Sequence, residues 1–227
     1  MRNYSSAVVH RKYNSTNMSR AIHRGQFIVF EGIDKCGKST QSQKLKNAFE
    51  KIGKKVILQK FPNRETLTGS MIDKYLKKEV NYPDQFIHLL FSANRWECMA
   101  ELERALHCGT SVILDRYAFS GVAYTAAKGS LSVKWCKAPD SGLLKPDCVF
   151  FLNLHPEIAN CRSGAGDERY EQVEFQKKVL EQFMKLKDET WKIIDANESE
   201  DKIFSNIYQY ALSLNNQELT KLWLTDF

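Results

Sequence analysis

The chain lacks several features that would place it in other classes of protein. None of its apolar stretches is long enough to span a membrane, and no internal repeat, linker or low-complexity tract follows residue 25. Its six cysteines are scattered singly without a C-x-x-C pair, so they match neither a zinc ribbon nor a dense disulfide framework. A reducing compartment and one folded domain over residues 26–227 are the simplest predictions.

Charge is distributed unevenly along the chain. The formal net charge is +6, but residues 1–25 hold five basic residues and no acidic one, which leaves 28 basic against 27 acidic residues. A nearly neutral body without a basic stripe predicts no nucleic-acid partner, and we expect no membrane partner either. Residues 1–25, rich in Ser, Asn and Arg, predict a disordered leader of a cytoplasmic protein. The alternative is a mitochondrial transit peptide, which has this composition.

Short apolar runs alternate with longer helical patterns from residue 26 onward. The five runs are nearly continuous, as in strands buried on both faces, and occupy residues 27–30, 56–58, 112–114, 148–152 and 191–194. The helical patterns cover residues 38–52, 84–107, 171–189 and 201–214. This alternation predicts the α/β class, with a five-stranded parallel sheet between two layers of helices and ligands at the carboxyl ends of the strands.

The strongest local motif is a phosphate-binding loop. Residues 32–39 read G-I-D-K-C-G-K-S between a predicted strand and a predicted helix, a context that an ordinary glycine-rich turn would not need. Lys38 would reach the β- and γ-phosphates, and the Ser39 hydroxyl would bind Mg²⁺. The backbone would wrap the phosphates of ATP. The predicted contacts of this loop with ATP are Gly32, Lys35, Cys36, Gly37, Lys38, Ser39 and Thr40.

The third apolar run ends in Asp115, followed by Arg116. An acid at this position is placed to hold Mg²⁺ together with Ser39, although many strands end in Asp only to cap the next helix. Arg116 would clamp phosphate with its planar fork, or else form a surface ion pair. The chain has no N-K-x-D segment after its last strands and no D-x-x-G after Asp115, so a small-molecule kinase is favoured over a regulatory GTPase.

Five motifs together resemble the thymidylate kinases, and in particular the eukaryotic and poxviral members, over residues 25–223. Besides the phosphate loop they are F-P-N-R at 61–64, L-L-F-S-A-N-R-W-E at 89–97, D-R-Y-A-F-S-G-V-A-Y at 115–124 and E-R-Y-E at 168–171. The resemblance implies a homodimeric P-loop kinase with a short lid around residues 162–169. It implies transfer of the γ-phosphoryl group of ATP to dTMP, giving dTDP for dTTP biosynthesis, with Mg²⁺ as cofactor.

The resemblance also implies roles for individual residues. Phe91, which would otherwise be read as a core residue, stacks on the thymine, and Arg95, one helical turn away, donates to its O4 atom. Arg64 grips the acceptor phosphate, and Arg116 bridges the donor and acceptor phosphates. Asp34 accepts a hydrogen bond from the sugar 3′-hydroxyl.

Further contacts follow from the same resemblance. Tyr124 and Tyr170 lie near the sugar 2′ position, and Gln176 lies near the acceptor base or sugar. Arg162 stacks on the adenine of ATP, and Arg169 reaches its phosphates. The remaining predicted contacts with dTMP are Phe61, Ser120 and Gly121.

Lys35 departs from the pattern of many thymidylate kinases, which have Arg at this position. Because Lys is a point charge without a bidentate fork, Arg116 or Arg169 would share its role in stabilising the transferring phosphoryl group. The predicted catalytic groups are Asp34, Lys35, Lys38 and Arg116.

Two other functions remain open from the sequence. A deoxynucleoside kinase shares the phosphate loop and a triplet like D-R-Y, but Arg64 would be superfluous without an acceptor phosphate. A nucleotide-binding module without activity is disfavoured by the intact Lys38, Ser39 and Asp115.

Overall fold

The protein has a parallel sheet at its centre. The computed structural model describes residues 24–162, 168–215 and 218–224, and within them five strands form one sheet in the order β2-β3-β1-β4-β5. Every pair of neighbouring strands is parallel. The strands are β1 (Phe27–Glu31), β2 (Val56–Lys60), β3 (Ser111–Asp115), β4 (Cys148–Asn153) and β5 (Trp191–Asp195). The predicted α/β fold is therefore confirmed.

Helices connect the strands. In the described residues they are α1 (Lys38–Lys51), α2 (Leu67–Leu76), α3 (Asp84–His107), α4 (Ala118–Ala126), α5 (Val133–Lys137), α6 (Pro156–Arg162), α7 (Val173–Leu186) and α8 (Glu200–Ser213). A 3₁₀ helix, Ala138–Asp140, follows α5 directly. The sequence predicts α3 with the correct ends, but places the ends of α7 two to three residues too far out and misses α2, α4, α5 and α6.

Burial explains why the apolar runs become strands. Every residue of β1 and β3 is buried, and β1 lies between β3 and β4, with Phe27 opposite Val112 and Ile28 opposite Cys148. The edge strand β2 is only partly buried and ends in the polar pair Gln59 and Lys60. The central strands are thus more deeply buried than this edge strand.

The same topology determines where a ligand can bind. Strand β1 connects to β2 through α1, although β3 lies between them, while β4 pairs on the other side of β1. The strand order therefore reverses at β1, which is where ligands bind in such sheets. Because Phe30 is in register with Asp115, the loop after β1 and the turn after β3 leave the sheet side by side.

Two predicted absences concern the described residues. No helix among them is long and apolar enough to cross a membrane. All six cysteines lie within them and none forms a disulfide. Residues 1–23 of the predicted leader and residues 163–167 of the predicted lid lie outside the described part of the chain.

Candidate active site

The loop between β1 and α1 has the backbone of a phosphate cradle. Gly32, Lys35 and Gly37 have φ angles of 141°, 62° and 99°. A Cβ atom on Gly32 would lie 2.7 Å from the carbonyl oxygen of Leu152, so a side chain has no room there. Gly37 is the N-cap of α1 and offers no side chain to its first N–H groups, which remain available to an anion.

Lys38 and Ser39 follow the loop on the first turn of α1. The Lys38 ammonium is buried and donates to the Ile33 carbonyl oxygen at 2.5 Å, which holds it under the loop. The Sγ atom of Cys36 lies 3.5 Å from the same ammonium. The loop after β1 and the first turn of α1 form one part of the wall of a cavity of about 800 Å³.

Ser39 and Asp115 make the pair that suits Mg²⁺. The Ser39 hydroxyl donates to Oδ2 of Asp115 at 2.5 Å, whereas Oδ1 is buried without a hydrogen-bond partner among the described residues. A buried carboxylate oxygen that lacks a donor, next to a hydroxyl, fits a hard cation with oxygen ligands. The described residues contain no cluster of three metal-binding side chains, so phosphate and water oxygens would complete the coordination.

Arg116 lies between the loop after β1 and helix α4. Its backbone is left-handed, with φ of 72°. The guanidinium donates to the Gly32 carbonyl oxygen and to the Ser120 hydroxyl, each at 3.1 Å, and forms an ion pair with Asp34. Burial alone would lower the pKa of Arg116, but the surrounding carboxylates raise it. The side chain therefore stays a fixed positive charge beside the phosphate loop.

Asp34 is surrounded by donors. Besides Arg116, it accepts from the Tyr124 hydroxyl at 3.0 Å and from the Gln176 amide at 2.7 Å. Burial would raise the pKa of Asp34, but Arg116 and Lys38 outweigh burial and lower it. The carboxylate is thus ionised and able to accept a further hydrogen bond.

Glu31, which the sequence did not indicate, fixes the segment that carries Arg116. It is fully buried and accepts from the backbone N–H groups of Tyr117 and Ser120, at 2.9 and 3.0 Å, and from the Ser120 hydroxyl at 2.5 Å. Burial raises the pKa of Glu31. The available signal in the sequence is an acid that directly follows the apolar run 27–30 and precedes the phosphate loop.

The acceptor side of the same cavity is aromatic and basic. Phe91 packs beside Ile72, Tyr75 and Tyr170 in a second, smaller apolar cluster and lines the cavity, and Tyr124 lines it nearby. Arg95 also lines it and is held by two hydrogen bonds to the buried Asp140. The aromatic and the guanidinium that the resemblance placed together therefore do meet at one cavity.

Three further predicted residues contribute to this side. A Cβ atom on Gly121 would lie 2.8 Å from Nη2 of Arg95, so only glycine leaves room for that guanidinium. Arg64 lines the cavity and forms ion pairs with Asp73 and Glu168, at 2.6 and 2.8 Å. Phe61 lines it too but is almost wholly buried.

Two predicted residues lie differently from expectation. Arg169 does not line the cavity. It donates to the carbonyl oxygens of Tyr75 and Val80, each at 3.0 Å, and its guanidinium lies over the Tyr75 ring at 4.1 Å. Gln176 lies behind Asp34 and supports it, without lining the cavity.

Lys35 and Arg162 complete the predicted set. Lys35 lines the cavity and lies 3.5 Å from the Glu171 carboxylate. Arg162 also lines the cavity, as do Thr40 and Glu200 at the start of α8, and it donates to the Ala196 carbonyl oxygen at 2.6 Å. One cavity thus includes Arg162, the phosphate loop, and Phe91 with Arg95 in its wall.

A phosphate loop at the central strand, a pair of oxygen-bearing side chains that fits a hard cation and an aromatic wall in the same cavity define a P-loop phosphotransferase that acts on a nucleotide. Comparison with known proteins makes the assignment more precise. A family model described as thymidylate kinase matches residues 30–207. The chain belongs to the thymidylate kinase family, and is thus a nucleoside monophosphate kinase that uses ATP.

Individual relatives agree with this membership. The chain is 45% identical over 224 residues to thymidylate kinase of Arabidopsis thaliana, covering 93% of this chain and 85% of that protein. It is 45% identical over 190 residues to thymidylate kinase of Homo sapiens, covering 82% and 90%. The solved structure of thymidylate kinase from Candida albicans superposes with a TM-score of 0.80 at 37% identity, covering 87% and 98%.

Proposed function

We propose that the chain transfers the γ-phosphoryl group of ATP to dTMP, giving dTDP, a step in dTTP biosynthesis. Family membership supports this function. The observation that carries it for this chain is one continuous cavity whose lining includes Lys38 and Ser39, Arg162, and Phe91 with Arg95. Such a cavity accommodates a donor and an acceptor nucleotide at once.

ATP lies with its phosphates in the loop after β1. The loop N–H groups and the Lys38 ammonium bind the β- and γ-phosphates, while Arg162 stacks on the adenine. Ser39 and Asp115 would hold Mg²⁺, which would supply positive charge to the phosphate oxygens. We also propose that residues 162–169 act as a lid that excludes water from the transferring group.

The acceptor binds at the aromatic end. Arg64 grips the phosphate of dTMP, Phe91 stacks on the thymine and Arg95 donates to O4. Asp34 accepts from the 3′-hydroxyl, which its ionised state favours. Tyr124 and Tyr170 close the space beside the sugar.

Transfer needs no covalent enzyme intermediate. The two nucleotides are held in line, and the positive charges of Lys38, Arg116 and Lys35 stabilise the charge on the transferring group. Arg116 is best placed between the two phosphates because it lies against both Gly32 of the donor loop and Asp34 of the acceptor site.

The quaternary structure and location are further proposals. Helix α3 exposes Phe86, Leu89 and Trp96, each more than a third accessible, and this apolar face supports a homodimer. Light scattering of the purified chain tests the dimer. We propose a cytoplasmic enzyme, with mitochondrial import through residues 1–25 as the alternative, and N-terminal sequencing of the native protein separates the two.

An acceptor panel tests the function. Purified protein is given ATP and Mg²⁺ with each deoxynucleoside monophosphate and with thymidine, and products are separated by chromatography. We expect dTMP to be the best acceptor, with dUMP roughly 10- to 200-fold poorer because it lacks the 5-methyl group. Faster turnover of another monophosphate would falsify the base assignment. Turnover of thymidine alone indicates a deoxynucleoside kinase, and ATP binding without turnover indicates a binding module.

A further inference from the structure

Helix α3 carries a row of buried polar side chains that all bind one short segment. His88, Ser92 and Arg95 are spaced by four and three residues, so they share one face of the helix. Each is at most 2% exposed. Each forms at least one hydrogen bond to residues 136–140, at the end of α5 and in the 3₁₀ helix. This segment 136–140 forms no part of the cavity wall.

Asp140 determines how the Arg95 guanidinium is presented. Nε and Nη2 of Arg95 donate to the two oxygens of Asp140 at 3.1 and 2.6 Å, and the Ser92 hydroxyl donates to the same carboxylate at 2.7 Å. A bidentate pair of this kind fixes the plane of the guanidinium. The N–H groups that Asp140 does not use remain as donors on a side chain that lines the cavity.

His88 determines the direction of the Thr125 hydroxyl. His88 Nε2 lies 2.8 Å from the Cys136 carbonyl oxygen, which only accepts, so Nε2 carries the proton. In the neutral ring Nδ1 then accepts, and its partner is the Thr125 hydroxyl at 2.8 Å. Burial, with a contribution from Arg95, lowers the pKa of His88 and favours this neutral ring. Thr125 lines the cavity with its only hydroxyl proton already used, so it accepts from a ligand.

The Arg95 guanidinium and the Thr125 hydroxyl lie next to each other along α4. The Arg95 guanidinium rests against Gly121, within 2.8 Å of where a Cβ atom would be. Thr125 is four residues beyond Gly121 on the same helix face, and the Cβ positions of such a pair lie about 5–6 Å apart. The cavity therefore offers a donor beside an acceptor. That pattern complements the carbonyl and adjacent N–H of an imide, as at C4 and N3 of thymine or uracil.

A 4-aminopyrimidine presents the opposite pattern. Its exocyclic amine would meet the Arg95 donors, and its N3 lone pair would meet the acceptor oxygen of Thr125. Both groups would be left unpaired at a buried edge, which costs more than a missing contact at a surface.

We propose that segment 136–140 sets the base specificity of the acceptor site. Asp140 holds Arg95 as a donor, and His88, anchored on Cys136, holds Thr125 as an acceptor. Pyrimidine monophosphates with an imide edge are therefore selected over 4-aminopyrimidine ones. Asp140 and His88 are positioning residues, and Thr125 is a specificity-determining residue that contacts the base. The inference rests on the proposed function, because it concerns the acceptor of that reaction.

Two ratios of kcat/KM distinguish a role in reading the imide edge from a role in binding the methyl group or in activity as a whole. The dUMP-to-dCMP ratio reports on the imide edge, and the dTMP-to-dUMP ratio reports on the methyl group. In Asp140→Asn and in Thr125→Val we expect the dUMP-to-dCMP ratio to fall at least about tenfold while the dTMP-to-dUMP ratio is unchanged. Where turnover of dCMP is too slow, its inhibition constant against dUMP replaces it.

Two control variants test whether the change in the ratio is specific to the Thr125 hydroxyl and to the Arg95–Asp140 pair. Thr125→Ser retains the hydroxyl and should keep the wild-type ratio. Ser92→Ala removes a hydrogen bond to the same Asp140 carboxylate without touching Arg95, so it should leave both ratios unchanged. If Asp140→Asn fails to fold, Thr125→Val, which removes a hydroxyl and keeps the shape, decides the matter.

An equal loss of kcat/KM for dTMP, dUMP and dCMP in both variants would overturn the proposal, since it would show a structural role only. Failure of the proposed function looks different, because the wild-type protein would then phosphorylate neither dTMP nor dUMP. In that case calorimetric binding of dUMP and dCMP to wild type and Thr125→Val measures the same selectivity without turnover, and equal affinities would again count against it.

Discussion

Arg116 and Asp34 form an ion pair that joins the end of β3 to the phosphate loop after β1. The two residues are 82 positions apart in the chain, and the parallel register of the strands brings them together. Asp34 also contacts Tyr124 on the acceptor side. The pair therefore lies at the boundary between the two nucleotide sites, where the phosphoryl group would be transferred.

Replacing Arg116 by Met should mainly slow the chemical step. The charge between the two phosphates is lost while the contacts to adenine and thymine remain, so we expect kcat to fall roughly 10²- to 10³-fold with little change in either KM. Steady-state kinetics with dTMP and ATP measure this. Arg104→Ala, at an exposed arginine of α3, serves as control and should retain wild-type activity. An increase in KM alone would assign Arg116 to ground-state binding.

Asp34→Asn should make stability less dependent on pH in acid. The pKa of Asp34 is lowered from 3.8, so its charged form stabilises the folded state above about pH 4, and this stabilisation is lost as the pH falls through the lowered value. We expect the variant to be about 1–3 kcal/mol less stable at pH 7, with the difference shrinking below about pH 4. Urea unfolding across pH 3–7 checks this. A difference that stays constant with pH would contradict a role for the charge.

Ser39→Ala should weaken the binding of Mg²⁺ at the proposed site. It removes one proposed oxygen ligand and the donor to Asp115, so the Mg²⁺ concentration for half-maximal activity should rise roughly tenfold or more. Ser42→Ala is a matched control, since Ser42 is a buried serine of the same helix that bonds to the Ser39 carbonyl oxygen. Equal effects of the two changes would mean that α1 is merely destabilised.

Arg64→Ala should raise KM for dTMP about 10- to 100-fold, because a charged hydrogen bond to phosphate is lost. KM for ATP should hardly change. The exposed partners Asp73 and Glu168 contribute little stability, so the variant should fold. Lys77→Ala removes another cation paired with Asp73 and should leave KM for dTMP unchanged. An unaltered KM in Arg64→Ala would favour an acceptor without a phosphate.

The features of the fold and the site that depend on local sequence pattern are the ones that the sequence predicts. Five nearly continuous apolar runs became the five strands, and the phosphate loop lies where strand meets helix, because periodicity and glycine act within a few residues. Phe91 and Arg95 could be paired for the same reason, as they are one helical turn apart.

Long-range partners could not be predicted in this way. Arg95 and Asp140 are 45 residues apart, and Glu31 meets Ser120 at a separation of 89. Nothing in the local pattern around Asp140 distinguishes it from a surface turn. Arg169 shows the converse: a basic residue beside the lid suggested phosphate contact, but three acceptors at the end of α2 and on the connection to α3 bind its guanidinium outside the cavity.

Gly121→Ala should damage the acceptor site without destabilising the fold. A new Cβ atom would lie 2.8 Å from Nη2 and 3.1 Å from Nη1 of Arg95, and Asp140 keeps that guanidinium from moving freely. We expect kcat/KM for dTMP to fall roughly 100-fold, as for a group displaced by about 1 Å, and KM for ATP to stay constant. Since alanine is favoured over glycine in a helix by about 1 kcal/mol, the melting temperature should not drop. Ala126→Gly, the reverse change on α4, should lower the melting temperature and spare kcat/KM; the opposite pattern would show that the Gly121 position matters for folding alone.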